Sequence, residues 1–243
     1  MKDKDIHNIA IVLAGGTGSR LGCDIPKQFL AIAGKTVIEH TVDVFENNRN
    51  IDEIAIVVHP AYIGMMEGIV ARNSWTKVKK ILEGGKERYN SSLAAIKAYA
   101  SVDDDINMLF HDAARPMVDD RIINDVISSL EHYSAVTAAV ATTDTILEVD
   151  AKGDNLVSIP NRKMLRQCQT PQGFKKSVIS KAYELGMNDP DFNPTDDCGV
   201  VKKYLPTVNI AIVEGADYNI KLTNKKDVSV LEILLTNRDN YCL

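Results

Sequence analysis

Glycines and cations gather near the N-terminus in a pattern that suits an anionic ligand. An apolar run from Ile9 to Ala14 breaks into Gly15-Gly16-Thr17-Gly18-Ser19-Arg20, and Pro26-Lys27 follows. Gly15, Gly16 and Gly18 let backbone N–H groups approach phosphate oxygens, Ala14 stands at the strand end, and Arg20 and Lys27 supply positive charge. Two cations beside one turn repel each other unless an anion sits between them. The bland alternative is a tight turn with solvated surface cations. The turn is not GxxxxGK[ST], because no Lys-Ser or Lys-Thr follows the last glycine. It is not GxGxxG, because Leu21 takes the place of the third glycine.

Further polar groups stand where strands should end. Gly84-Gly85 precedes Lys86, Arg88 and Ser91, with Ser91 either a helix N-cap or a hydroxyl ligand. His111-Asp112-Ala113-Ala114-Arg115-Pro116 closes another strand, a functional position by default in an α/β sheet. There the plain reading is an Asp112–Arg115 turn salt bridge, and His111 reads as structural. Arg162 and Gln169-Thr170-Pro171-Gln172 form a third group, Thr195-Asp196-Asp197 opens a helix, and Lys221 sits in Asn219-Ile220-Lys221-Leu222-Thr223.

The elements that must position these groups alternate along the chain. The patterning predicts strands at Ile9–Leu13, Ile54–Val58, Lys79–Glu83, Met108–His111, Ala135–Ala141 and Val208–Val213. It predicts helices at Val37–Glu46, Ala61–Asn73, Ser91–Ala100, Asp119–Tyr133, Lys175–Met187, Asp197–Tyr204 and Lys225–Thr236. This order implies an α/β fold, a Rossmann-like, mostly parallel sheet with helices on both faces, with ligands at the carboxyl ends of its strands. Residues 142–159 break the alternation and read as a protruding β-hairpin arm with Thr145 at its base. One domain over residues 1–243 is expected.

Bulk properties narrow the partners. The chain has 243 residues, 45% of them hydrophobic, and a formal net charge of −5. This acidic net charge makes a nucleic-acid surface an unsuitable assignment. No apolar run approaches membrane-spanning length and the polar N-terminus is not a signal peptide, so a cytoplasmic location is expected. Cys23, Cys168, Cys198 and Cys242 show no metal-ligand spacing and read as reduced thiols.

The run from Leu13 to Leu30, LAGGTGSRLGCDIPKQFL, resembles the nucleotidylyltransferase signature of the sugar- and alditol-phosphate cytidylyltransferases. The resemblance extends through G-G-x-x-R-x-x-S, H-D-A-x-R-P, R-x(6)-Q-T-P-Q-x-F and N-x-K-[VL]-T, and so covers almost the whole chain. It implies a Mg²⁺-dependent homodimer that makes a CDP-alditol and pyrophosphate from CTP and an alditol phosphate. Such chemistry needs no covalent intermediate, only neutralisation of a crowded anionic transition state. By this resemblance Arg20, Lys27 and Lys221 serve the triphosphate and its developing charge. Gly85 and Ser91 hold cytosine and ribose, in a turn whose close backbone walls suit a pyrimidine. Asp112 contacts substrate hydroxyls or Mg²⁺. Arg115, Arg162, Thr170, Thr195 and Thr145 face the acceptor, with Arg162 and the arm reaching into the partner subunit's site.

Two acceptors compete. Ser158-Ile159-Pro160, Tyr218-Asn219-Ile220-Lys221, Arg166-Gln167-Cys168 and Asp197-Cys198-Gly199 favour D-ribitol 5-phosphate, the main expectation. His111 to Pro116 favours 2-C-methyl-D-erythritol 4-phosphate. Two rivals come from other classes. A non-catalytic nucleotide-binding regulator would have lost cations that are present here. A dinucleotide oxidoreductase would need the missing third glycine.

Overall fold

The computed structural model describes residues 6–16, 25–102 and 106–241. β1 (His7–Ala14) is followed by a short antiparallel pair, β2 (Ala31–Ile32) and β3 (Lys35–Thr36), and by α1 (Val37–Asn47). β4 (Glu53–Val58), α2 (Ile63–Asn73), β5 (Val78–Glu83), α3 (Arg88–Ala98), β6 (Ile106–Asp112), α4 (Asp120–Ser129) and β7 (Ala135–Ala141) keep up the alternation. The arm then carries β8 (Glu148–Val149) and β9 (Leu156–Ser158). β10 (Arg166–Lys175), α5 (Lys176–Gly186), α6 (Asp197–Tyr204), β11 (Ile210–Glu214) and α7 (Lys225–Thr236) complete the described chain.

Seven strands join in the order β11-β7-β10-β6-β1-β4-β5. Among the described residues only β10 runs against its neighbours in this sheet. The alternation along β1 explains the layers. Ala10 and Val12 face one core with Val42 and Phe45 of α1 and Ile122 and Val126 of α4. Ile9, Ile11 and Leu13 face the other, with Ile96 of α3, Ile179 of α5 and Val201 of α6. Both faces of the central strands are buried, hence their continuous apolar runs.

The chain runs from β1 outward to β4 and β5, then returns to place β6 on the other side of β1. Strand order therefore reverses at β1, and the crevice at its carboxyl end is where such sheets bind ligands. Gly15 and Gly16 lie there.

Several boundaries differ from the sequence reading. α3 begins three residues early, because Glu87 and Asn90 form a capping box, so Ser91 lies inside the helix and caps nothing. A single 3-10 turn at Pro60–Tyr62 separates Pro60 from α2. α4 ends at Ser129, short of Tyr133. The largest departure is β10, where the patterning predicts no strand. Its register shifts between Cys168 and Gln172, around the cis Thr170-Pro171 bond. The arm's turn is closed by the Asp150 carboxylate, which accepts from the Lys152 and Asp154 N–H groups and from Asn155 Nδ2, while Gly153 takes φ +79°.

Candidate active site

The glycine turn, the β5–α3 turn and the end of β6 enclose a cavity of about 230 Å³. Of the residues expected from sequence, Ala14, Gly15, Gly16, Lys27, Gly85, Ser91, Asp112 and Lys221 line it. Gln28 holds the turn open: its Nε2 donates to Ala14 O at 2.7 Å and to Gly16 O at 2.9 Å. Gly15 is required by close packing, since a Cβ there would lie 2.7 Å from Ser91 Oγ. A Cβ on Gly85 would lie 2.3 Å from Asn90 Cβ, inside the capping box of α3.

Asp112 is the cavity's electrostatic centre. Its Oδ1 meets Arg88 Nε at 3.3 Å and its Oδ2 meets Lys221 Nζ at 2.7 Å. Burial alone would raise its pKa, but Arg88, Lys221 and Arg115 outweigh it and hold the carboxyl well below the usual range. Lys27 Nζ donates to Leu222 O at 2.6 Å, so both lysines converge on one wall. Behind Asp112, its N–H donates to Thr170 Oγ1 at 3.1 Å, and that oxygen is 3.0 Å from His111 Nδ1. His111 Nε2 is 3.1 Å from Arg115 O. Since a carbonyl only accepts, the proton is on Nε2 and Nδ1 accepts from Thr170. Burial lowers the His111 pKa to about 4, so the ring is neutral and structural.

Arg115 faces a second cavity of about 270 Å³, which shares Lys221 with the first. Its guanidinium donates to Asn219 O at 2.8 Å and to Cys168 O at 3.3 Å, and the turn pair with Asp112 is long, at 3.9 Å. Thr170 is buried with its hydroxyl engaged behind Asp112. Thr195 is exposed, and the α6 cap is Asp196, which accepts from Gly199 N at 2.8 Å. Thr145 and Arg162 are exposed by the arm, with Arg162 Nη1 donating to Thr143 O at 2.6 Å, and neither lines these cavities. Gly18 and Arg20 lie outside the described residues. Sequence reasoning named Arg88 only within the Gly84 to Ser91 segment, without a role of its own, and gave Gln28 and Asp197 no part in this site. The signal for Arg88 is a cation at the first helical position after a double glycine.

A family model described as IspD, 2-C-methyl-D-erythritol 4-phosphate cytidylyltransferase, matches residues 8–237. The chain belongs to the IspD family. IspD members are CTP-dependent cytidylyltransferases, and the nucleotidyltransferase class inferred from the sequence stands. The 2-C-methyl-D-erythritol 4-phosphate cytidylyltransferase of Thermobifida fusca is 43% identical over 93% of this chain and 92% of its own. The bifunctional ribulose 5-phosphate reductase/CDP-ribitol pyrophosphorylase of Haemophilus influenzae is 40% identical over 97% of this chain, which spans 50% of that protein. The crystal structure of 4-diphosphocytidyl-2C-methyl-D-erythritol synthase from Anaerococcus prevotii superposes with a TM-score of 0.83 at 25% identity, covering 96% of this chain and 100% of that one. No helix among the described residues is long and apolar enough to cross a membrane.

Proposed function

We propose that this IspD-family protein transfers the cytidylyl group of CTP to 2-C-methyl-D-erythritol 4-phosphate, releasing pyrophosphate. The observation that carries the chemistry is the convergence of Lys27, Lys221 and a strongly acidic Asp112 on the glycine-turn cavity. The triphosphate lies along Gly15, Gly16 and the two lysines. The acceptor phosphate oxygen is already ionised and attacks the α-phosphorus without a general base. Lys27 and Lys221 stabilise charge that develops on the triphosphate.

The acceptor departs from the sequence expectation of ribitol 5-phosphate. The family model and the Thermobifida relative both favour methylerythritol phosphate. Ribitol 5-phosphate is the second reading, favoured by the Haemophilus relative and by the Ser158-Ile159-Pro160 and Tyr218 to Lys221 segments.

Members of this family generally depend on a divalent metal. Among the described residues no group of three or more His, Cys, Asp or Glu could cage one. Mg²⁺ needs no such cage, since it takes one or two carboxylates together with substrate phosphates. Asp112, ionised and facing the cavity, fits that role. When bound, Mg²⁺ neutralises phosphate charge. Arg115 orients the acceptor phosphate from the second cavity. The arm completes this site in a homodimer, the partner subunit supplying Arg162 and Thr145.

The test is pyrophosphate release with CTP and each acceptor. A kcat/KM at least about tenfold higher for methylerythritol phosphate than for ribitol 5-phosphate supports the assignment, a difference of about 1.4 kcal/mol in transition-state binding. The reverse preference installs the ribitol reading.

A further inference from the structure

Asp197 reads in sequence as part of a helix start, but its position gives it another task. Its side chain is 0% exposed, and its Oδ2 accepts from Arg88 Nη1 at 2.6 Å. Its Oδ1 accepts from the Tyr183 hydroxyl at 2.6 Å. Gln172 Oε1 accepts from the N–H groups of Asp197 at 3.2 Å and Cys198 at 3.3 Å, so β10 fixes the start of α6. Arg88 then reaches forward to one oxygen of Asp112, while Lys221 takes the other.

The two cations on Asp112 are held differently. Arg88 is 23% exposed and clamped from behind by a fully buried carboxylate. Lys221 is 39% exposed and carries a flexible stem. An anion entering the cavity competes with Asp112 for both, and the less anchored ammonium yields first.

We propose that Asp197 and Arg88 are a positioning pair for Asp112. Asp197 anchors the guanidinium, the guanidinium fixes one oxygen of Asp112, and Lys221 is left free to pass from the other oxygen to an incoming phosphate. The proposal rests on reading the cavity as the nucleotide site. Arg88 works here because a planar fork serves two carboxylates at once, which an ammonium cannot do with the same geometry.

The experiment compares Asp197→Asn, Arg88→Lys and Tyr183→Phe in the full-length chain. It reads kcat, KM for CTP and the thermal midpoint. Tyr183→Phe removes the other hydrogen bond to Asp197 and leaves Arg88 in place. Asp197→Asn and Arg88→Lys are expected to lower kcat about 10²-fold with KM for CTP changed by less than about threefold, the pattern of a misplaced catalytic group. Tyr183→Phe is expected to keep its kcat even where its thermal midpoint falls. If Asp197→Asn does not fold, Arg88→Lys decides. Unchanged kcat in Arg88→Lys overturns the pair, as does a kcat loss in Tyr183→Phe equal to that of Asp197→Asn. A wild-type chain that releases no pyrophosphate with either acceptor overturns the functional reading and this proposal with it, an outcome distinct from active wild type with unaffected variants.

Discussion

In the glycine-turn cavity, Asp112 is held between Arg88 and Lys221, Lys27 donates to a backbone carbonyl, and Gln28 ties the turn to β1. On the arm, Ile146, Leu147, Val149, Leu156, Val157 and Ile159 are all exposed, Val157 to 61%, and Arg162 donates to the nearby Thr143 carbonyl. The cavity is assembled and charged within one chain before any substrate arrives. The arm leaves several large apolar side chains exposed, a composition that suits an interaction face. On the proposed reading, nucleotide chemistry belongs to a single subunit and acceptor recognition waits for a second.

The largest effect should come from the cavity. Lys27→Ala and Lys221→Ala are expected to cost 10²–10³ in kcat, about 3–4 kcal/mol, with the fold retained. Steady-state kinetics beside circular dichroism checks this, and near-normal kcat/KM in both variants would detach the lysines from the triphosphate.

Glu39 shows what a buried carboxylate does when it has no part in the cavity. Burial alone would raise its pKa, but donors from Asn73, Thr36 and Arg72 outweigh it and bring it down to about 2. A depressed folded-state pKa means stability that is present above about pH 4.5 and lost as pH falls toward 2. That loss should be on the order of 3 kcal/mol in the wild type. Denaturant titrations across this window should find the loss absent in Glu39→Gln, with kcat at neutral pH unchanged. Equal acid sensitivity in both proteins would refute the assignment.

On the arm side, Arg162→Lys should raise KM for the alditol phosphate about tenfold and leave KM for CTP alone, because lysine cannot copy the forked contact. An equal change in both KM values would place Arg162 in the nucleotide site. The smallest effect is Leu156→Ala, which should weaken the dimer by about 1 kcal/mol, roughly fivefold in its dissociation constant. Analytical ultracentrifugation reads this directly, and an unaltered constant would remove the arm from the interface.

Much of the cavity was legible because its parts obey local rules. An apolar strand that breaks into glycines, and polar residues at strand ends, are written in consecutive letters. The helices α6 and α7 carry their own start signals, and their predicted bounds match those observed. β10 was hidden because Arg166 to Gln172 is polar and contains a proline, the opposite of a strand pattern. Its buried Gln172 finds a tertiary partner, donating to Asp196 Oδ2 at 2.7 Å. Asp197 was legible only as a helix start, since its pairing with Arg88 joins residues 109 positions apart. No local pattern records that distance.

The division between the two regions is tested most directly by mixing protomers. Each defective parent, Lys27→Ala and Arg162→Ala, is expected to be inactive or nearly so by itself. In a heterodimer, one site keeps its own Lys27 and receives an intact Arg162 from its neighbour, while the other site carries both defects. With subunit exchange verified by a mass-tagged protomer, an equal mixture should recover up to about a quarter of wild-type pyrophosphate release, one working site in half of the dimers. Exchanged mixtures that stay as inactive as either parent would mean that Arg162 acts within its own subunit and that the acceptor site is not shared.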